Sequence, residues 1–216
     1  MKVSKFVSIV ASISLAVSTL PTFIFPKMEV SKANAQDYRT IEGRFRQVND
    51  WGTRNGYVSC FPNFHQANYG RGVVFGAICL KGGGIKSESL YAVDLGYPQS
   101  HDQRFRAVND WAGKNRWATG YPNFHQLDRG KGLFYGAILF PADAVVRMDI
   151  PAQELGFPNS SEERFRAINN WATRRGYAGA FPNFHQADYG QGVVFGAVLI
   201  KKQYGRSVDI PVSQLR

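Results

Sequence analysis

Long apolar runs are absent once the first 25 residues are passed, so no later segment is expected to span a membrane as a helix. Cysteine is scarce: Cys60 and Cys79 are the whole supply. Neither lies near Ala33-Asn34-Ala35, which argues against a lipid anchor of the bacterial lipoprotein type. Acidic residues are few, 16 against 26 Lys and Arg, yet the basic residues form no long run. The net charge favours anionic partners such as envelope polymers, anionic lipid headgroups or nucleic acid, while its dispersal favours a plain solvated surface and leaves nucleic acid the least favoured of these. Ser- and Gly-rich spacers are missing between the repeated blocks described below, which favours blocks packed together over beads on a string. No serine or cysteine recurs beside the repeated histidine, so no nucleophile and base recur together.

What is present begins with a leader. Lys2 and Lys5 precede an apolar stretch from Phe6 to Leu20, and Ala33-Asn34-Ala35 offers a small-x-small site before Gln36. This order reads as a secretory signal peptide over residues 1–35. An uncleaved anchor from Phe6 to Phe25 is the rival reading; Ser8, Ser12, Ser14 and Ser18 favour cleavage. The protein is therefore expected to be exported, periplasmic or secreted, with no transmembrane segment after cleavage. The formal charge of +10 is only partly in the leader, where Lys2, Lys5, Lys27 and Lys32 oppose Glu29.

Residues 37–96, 97–156 and 157–216 align without a gap. All three blocks keep the Arg-Phe-Arg of Arg44-Phe45-Arg46, then Asn49, Trp51, the Pro-Asn-Phe-His-Gln segment, and Gly70, Gly72 and Gly76, each with its counterparts sixty residues on. Such self-similarity marks modules that bury their faces against one another. Ser100-x-x-Gln103 and Ser160-x-x-Glu163 are capping boxes that predict helix starts. Phe105, Val108 and Trp111 or Ala112 then place an apolar face on the helix, with Arg104, Arg106 and Lys114 toward water and the tryptophans as core anchors. Gly56 and Gly176 mark helix ends, and Arg116 departs from that pattern.

Tyr57–His65 and Gly72–Leu80 read as a β-hairpin turning at Tyr69-Gly70. Asp149-Ile150-Pro151-Ala152 and Asp209-Ile210-Pro211-Val212 read as a short edge strand limited by proline. The fold expected is α+β: three tandem blocks, each a helix, an antiparallel hairpin and a short edge strand, packed into one pseudo-threefold or short solenoid body. The hairpin register sets Cys60 opposite Cys79, and both are replaced in the other copies, by Gly120 and Leu139 and by Ala180 and Leu199. A cross-strand disulfide follows; a pair of buried thiols is the alternative. In that register Cys60, Pro62 and Phe64 share a face with Phe75, Ala77 and Cys79, and Phe61, Asn63 and His65 lie on the other.

The candidate ligand-binding residues are Asn63, His65 and Gln66, with Asn123, His125 and Gln126, and Asn183, His185 and Gln186. Imidazole between amides and aromatics suits sugar hydroxyls, with Gly76 leaving room for the Asn63 amide or a ligand. Asp128 and Asp188 stand three residues past their histidines as possible orienting carboxylates; the first copy has Asn68 there. Three converging histidines would make a metal site, though the spacing does not impose convergence. The motif also has a structural reading, in which its polar groups are satisfied within the fold. Arg44 and Arg46 read as solvated helix arginines open to an anionic polymer.

Leu95-Gly96-Tyr97-Pro98 and Leu155-Gly156-Phe157-Pro158 resemble the tetrapeptide of LGFP cell-wall repeats, over four residues per block, with the histidine motif outside it. The reading that results is an exported, non-catalytic repeat protein binding a glycan or anionic envelope polymer through three equivalent sites, with no cofactor. A structural or protein-interaction role competes with it; a hydrolase or a three-histidine metal site stands behind both. The sequence leaves the oligomeric state open.

Overall fold

The computed structural model describes residues 37–70, 72–128, 130, 132–190 and 192–215, so the leader lies outside the described residues. In chain order the elements are α1 (Ile41–Arg54), β1 (Ser59–Asn68), β2 (Val73–Leu80), β3 (Lys86–Tyr91), α2 (His101–Lys114), β4 (Thr119–Asp128), β5 (Leu133–Phe140), β6 (Val145–Pro151), α3 (Ser161–Arg174), β7 (Gly179–Asp188), β8 (Val193–Ile200) and β9 (Gly205–Pro211). The described residues form an α+β fold, with three α-helices and three antiparallel three-stranded sheets.

Local chemistry sets the helix limits. Ser100 and Gln103 form a full capping box at α2. At α3, Ser160 accepts from the Glu163 N–H, while the Glu163 carboxylate accepts from the Asn159 N–H at 2.8 Å. Thr40 caps α1 by accepting from the Gly43 N–H. Past the helix ends Gly56 and Gly176 take positive φ, and Arg116 takes the same left-handed position at φ 66. A side chain there is strained by roughly 1 kcal/mol.

The sheet orders are β1-β2-β9, β3-β5-β4 and β6-β8-β7. The closing segment of each block is a third, edge strand, and β6 and β9 end at Pro151 and Pro211, which lack the N–H for a further rung. Each of these strands lies on another block's hairpin: β3 on β5, β6 on β8, and β9 on β2.

Aromatic rings knit the blocks together. The Phe45, Phe105 and Phe165 ring centroids are 5.4 to 5.6 Å apart in all three pairs. Phe61, Tyr121 and Phe181 form a second triangle with spacings of 5.1, 5.6 and 5.2 Å. Such rings are each worth roughly 1.5–3 kcal/mol in burial. Tyr121 carries a hydroxyl into this apolar layer; it bonds to Ser59 Oγ at 2.8 Å, which in turn donates to Asn49. Burial pushes the Tyr121 phenol well above its ordinary value. Each block adds a second cluster beneath its own helix, as with Ile168, Trp171, Ala172 and Leu199 in the third. The repeated tryptophans anchor these clusters, Trp171 buried and Trp51 and Trp111 at the margin.

Cys60 and Cys79 form the expected disulfide, with Cα atoms 4.1 Å apart. Gly52 of α1 makes room for it, since a Cβ there would overlap Cys60 Sγ; the equivalent residues Ala112 and Ala172 face no such bond.

Two expectations need correction. The hairpin register holds from Ser59↔Leu80 to Pro62↔Ala77 and then shifts by two, resuming at Gln66↔Phe75. Phe64 sits at φ 59 inside this bulge, so strand alternation fails there. Phe64 therefore joins Phe61 and Ile78 in the shared core, away from Cys60, Phe75, Ala77 and Cys79. Phe61 does not share an open face with His65; it is fully buried. The second correction concerns Arg44 and Arg104, which, like their counterpart Arg164, are half-buried and do not simply face water. Each guanidinium stacks between two aromatic rings of its own block: Phe64 and Phe75, Phe124 and Tyr135, Phe184 and Phe195. Burial lowers the pKa of all three, and for Arg44 the nearby Glu162 carboxylate partly offsets this.

Candidate ligand-binding clefts between the blocks

The Pro-Asn-Phe-His-Gln segment divides into a structural half and an open half. Asn63, Asn123 and Asn183 are buried, and each Oδ1 accepts from the backbone N–H of the following histidine, at 2.8, 3.0 and 2.9 Å. Each amide lies over Gly76, Gly136 or Gly196, where a Cβ would overlap it. The room opposite Asn63 is filled by Asn63 itself. These three residues hold the bulge that turns Phe64, Phe124 and Phe184 inward.

The histidines point the other way. His65 and His185 are exposed with Gln66 and Gln186, while His125 and Gln126 are half-buried. Asp128 and Asp188 do not orient them. Those carboxylates accept from Gly130 N–H and Gly190 N–H, as the Asn68 amide does from Gly70 N–H, and so form the hairpin turns. The partner of His125 comes from another block: its Nε2 is 2.8 Å from Asp50 Oδ1 on α1.

That contact follows from how helix and hairpin meet across blocks. Phe124 packs on Phe45 at 5.3 Å, Phe184 on Phe105 at 5.1 Å, and Phe64 on Phe165 at 5.2 Å. Each histidine hairpin thus borders a helix from a different block. Between β7 and α2 this border opens into a cleft of about 690 Å³ lined by His185, Asn183, Arg106, Asn109, Asp110, Arg147, Met148 and Asp149. Asp110 there is the counterpart of Asp50, and the third counterpart, on α3, is Asn170. The three borders therefore share a scaffold, and the third lacks the carboxylate of the other two. Among the described residues no three His, Cys, Asp or Glu side chains gather as metal ligands, and His65, His125 and His185 each belong to a separate border.

The fourth histidine lies where the helix N-termini meet. His101 Nε2 is 2.7 Å from Asp102 Oδ1 and 3.1 Å from Ser161 Oγ, and its Nδ1 is 3.6 Å from Glu42. Ser161 Oγ also donates to Asp102. This node joins all three helices. His101 replaces Ile41 and is itself replaced by Ser161, so no repeated motif announces it. The pairing of Asp50 with His125, and the place of Arg106 and Asp149 beside His185, were likewise hidden, because these neighbours come from different blocks.

No described helix is long and apolar enough to cross a membrane, and with the disulfide this is compatible with an exported protein. Compared with protein-family models, curated proteins and solved structures, the chain matches none.

Proposed function

We propose that this is an exported, non-catalytic repeat protein that binds a glycan or anionic envelope polymer in clefts between its blocks. The observation that carries the reading is the cleft at His185, where an imidazole, two arginines and two carboxylates converge in an open space of about 690 Å³. Convergent polar groups of mixed sign beside a folded wall suit a hydroxyl-rich ligand. The binding residues are His65, His125 and His185 with Gln66, Gln126 and Gln186; the asparagines shape the wall. Three borders at fixed spacing give a polymer avidity beyond that of one weak site. A pseudo-threefold body goes with this reading: β9 on β2 and the two aromatic triangles support it over a linear solenoid.

The second reading, a motif that serves only the fold, is favoured by the satisfied Asn63, Asn123 and Asn183 amides. A variant with His65, His125 and His185 all changed to Ala separates the two. Unchanged melting with lost retention on an immobilised glycan panel supports binding. Unchanged melting with unchanged retention, or a wild type retained by no glycan or anionic polymer, ends the proposal.

A further inference from the structure

Exposed aromatics in a strained backbone point to a second binding element, one that rests on the glycan-binding reading above. Among the described residues six non-glycine residues have positive φ. Phe64, Phe124 and Phe184 are explained by the core, and Arg116 by a helix end. Tyr97 and Phe157 are not: they sit at φ 51 and 52 with 52% and 63% of their surface exposed. Backbone strain that delivers a ring to solvent has no packing reason, and such strain concentrates at functional positions.

Phe157 is held firmly in that position. Its N–H donates to Ala152 O at 2.9 Å, after Gly156 at φ 73. The preceding 3-10 turn, Ala152–Leu155, is pinned to α3 through Glu154, which accepts from Trp171 Nε1 at 2.7 Å and pairs with Arg175 at 3.0 Å. Phe157 and Pro158 then form one side of a groove of about 510 Å³ whose other side is the exposed face of α3, with Arg166, Asn170 and Arg174. Those three are spaced by four and so lie on one helix face.

Charge decides the ligand. Of the two carboxylates at this groove, Glu154 is taken by Trp171 and Arg175, and Glu163 by the Asn159 N–H. Arg166, Asn170 and Arg174 have no hydrogen bond or ion pair from their side chains among the described residues. The neutral N–H leaves the Glu163 charge in place, so the groove keeps two guanidinium groups against one unpaired carboxylate, with one amide and an aromatic face. We propose that this groove binds an acidic saccharide: the ring stacks on Phe157, the guanidinium groups take its carboxylate, and Asn170 reads a hydroxyl. Arg166 and Asn170 occupy the helix positions that Arg106 and Asp110 occupy in the His185 cleft, so the groove extends the border site along the helix. Tyr97 holds the same place beside α2, where Asp110 replaces the amide; that copy is the weaker acid binder.

Calorimetric titration of the full chain with a hexasaccharide of galacturonic acid, and with its methyl ester, tests this. Wild type is expected to favour the acid at least tenfold. Phe157→Ala should weaken both ligands at least fivefold, Phe157→Tyr should restore them, and Arg166→Gln with Arg174→Gln should erase the preference for acid. Equal affinity for acid and ester, or Phe157→Ala within twofold of wild type with unaltered melting, overturns the groove. Binding of neither hexasaccharide by wild type also overturns it. The border-site reading falls separately, by failure on the wider glycan panel.

Discussion

The core phenylalanines and the border histidines recur at the same sixty-residue spacing, yet they teach opposite things. Phe45, Phe105 and Phe165 meet their own copies, so the same residue type must suit all three places. His125 meets Asp50, a residue 75 positions earlier on another block's helix. The counterparts of Asp50 are Asp110 and Asn170, so two borders carry a carboxylate there and the third an amide. Repetition where copies face each other reports packing. Repetition at a border reports a common scaffold on which the chemistry is free to differ.

The strongest way to break this contrast is to remove a ring of the shared core. Phe165 touches Phe45, Phe64, Phe105 and Phe184, and none of its surface is exposed. Phe165→Ala is expected to cost about 3–5 kcal/mol in denaturant unfolding. Asp110→Asn, on the exposed side of α2, should change stability by less than about 0.5 kcal/mol. Comparable losses from the two would remove the distinction between core and border.

The disulfide sharpens the comparison within one block. It closes a separation of 19 residues, and its loss should cost about 3 kcal/mol. The third block manages with Ala172, Ala180 and Leu199 at the same places. A variant carrying Gly52→Ala, Cys60→Ala and Cys79→Leu copies that packing and should recover part of the loss seen with the two cysteines simply changed to Ala. Gly52→Ala alone, with the disulfide kept, should destabilise, because its Cβ overlaps Cys60 Sγ. Urea midpoints of the four proteins rank these outcomes.

Tyr121 gives the shared core a pH dependence of its own. Burial raises its folded-state pKa above the unfolded value near 10. The unfolded chain then releases this proton at a lower pH than the native one does. Stability from this group is fully present below pH ~10 and falls above it, by about 1.4 kcal/mol per pH unit. Tyr121→Phe should flatten that alkaline loss at the expense of the Ser59 hydrogen bond, a trade visible as crossing stability curves between pH 8 and 11.

Much of the scaffold was legible in the sequence, for reasons that are local. Ser100 and Ser160 announce helix starts because a cap acts within four residues, and the cysteines fixed a register that holds as far as Pro62. The bulge at Phe64 was hidden, since phenylalanine carries no signal for positive φ. The sandwiching of Arg44 was hidden because Phe64 and Phe75 come from two strands that converge only in the fold. Asp50 as the partner of His125 was hidden because pairing crosses from one block to the next. Gly52 is the signal that went unread: glycine replaces alanine in the same copy that gains the cysteines.

The smallest effect belongs to the contact that looks most like chemistry. The His125 and Asp50 side chains are 36% and 43% exposed, so water and salt screen their 2.8 Å contact. An exposed pair of this kind is worth less than about 1 kcal/mol. A double-mutant cycle with Asp50→Asn and His125→Gln at pH 6 should therefore give a coupling under about 1 kcal/mol, shrinking further in high salt. Asp50→Asn also gives this border the residue found at the third, so it should move glycan retention toward acidic polymers while leaving the melting point in place. A coupling above about 2 kcal/mol, insensitive to salt, would make the pair part of the frame, and the border histidines would then belong with the phenylalanines.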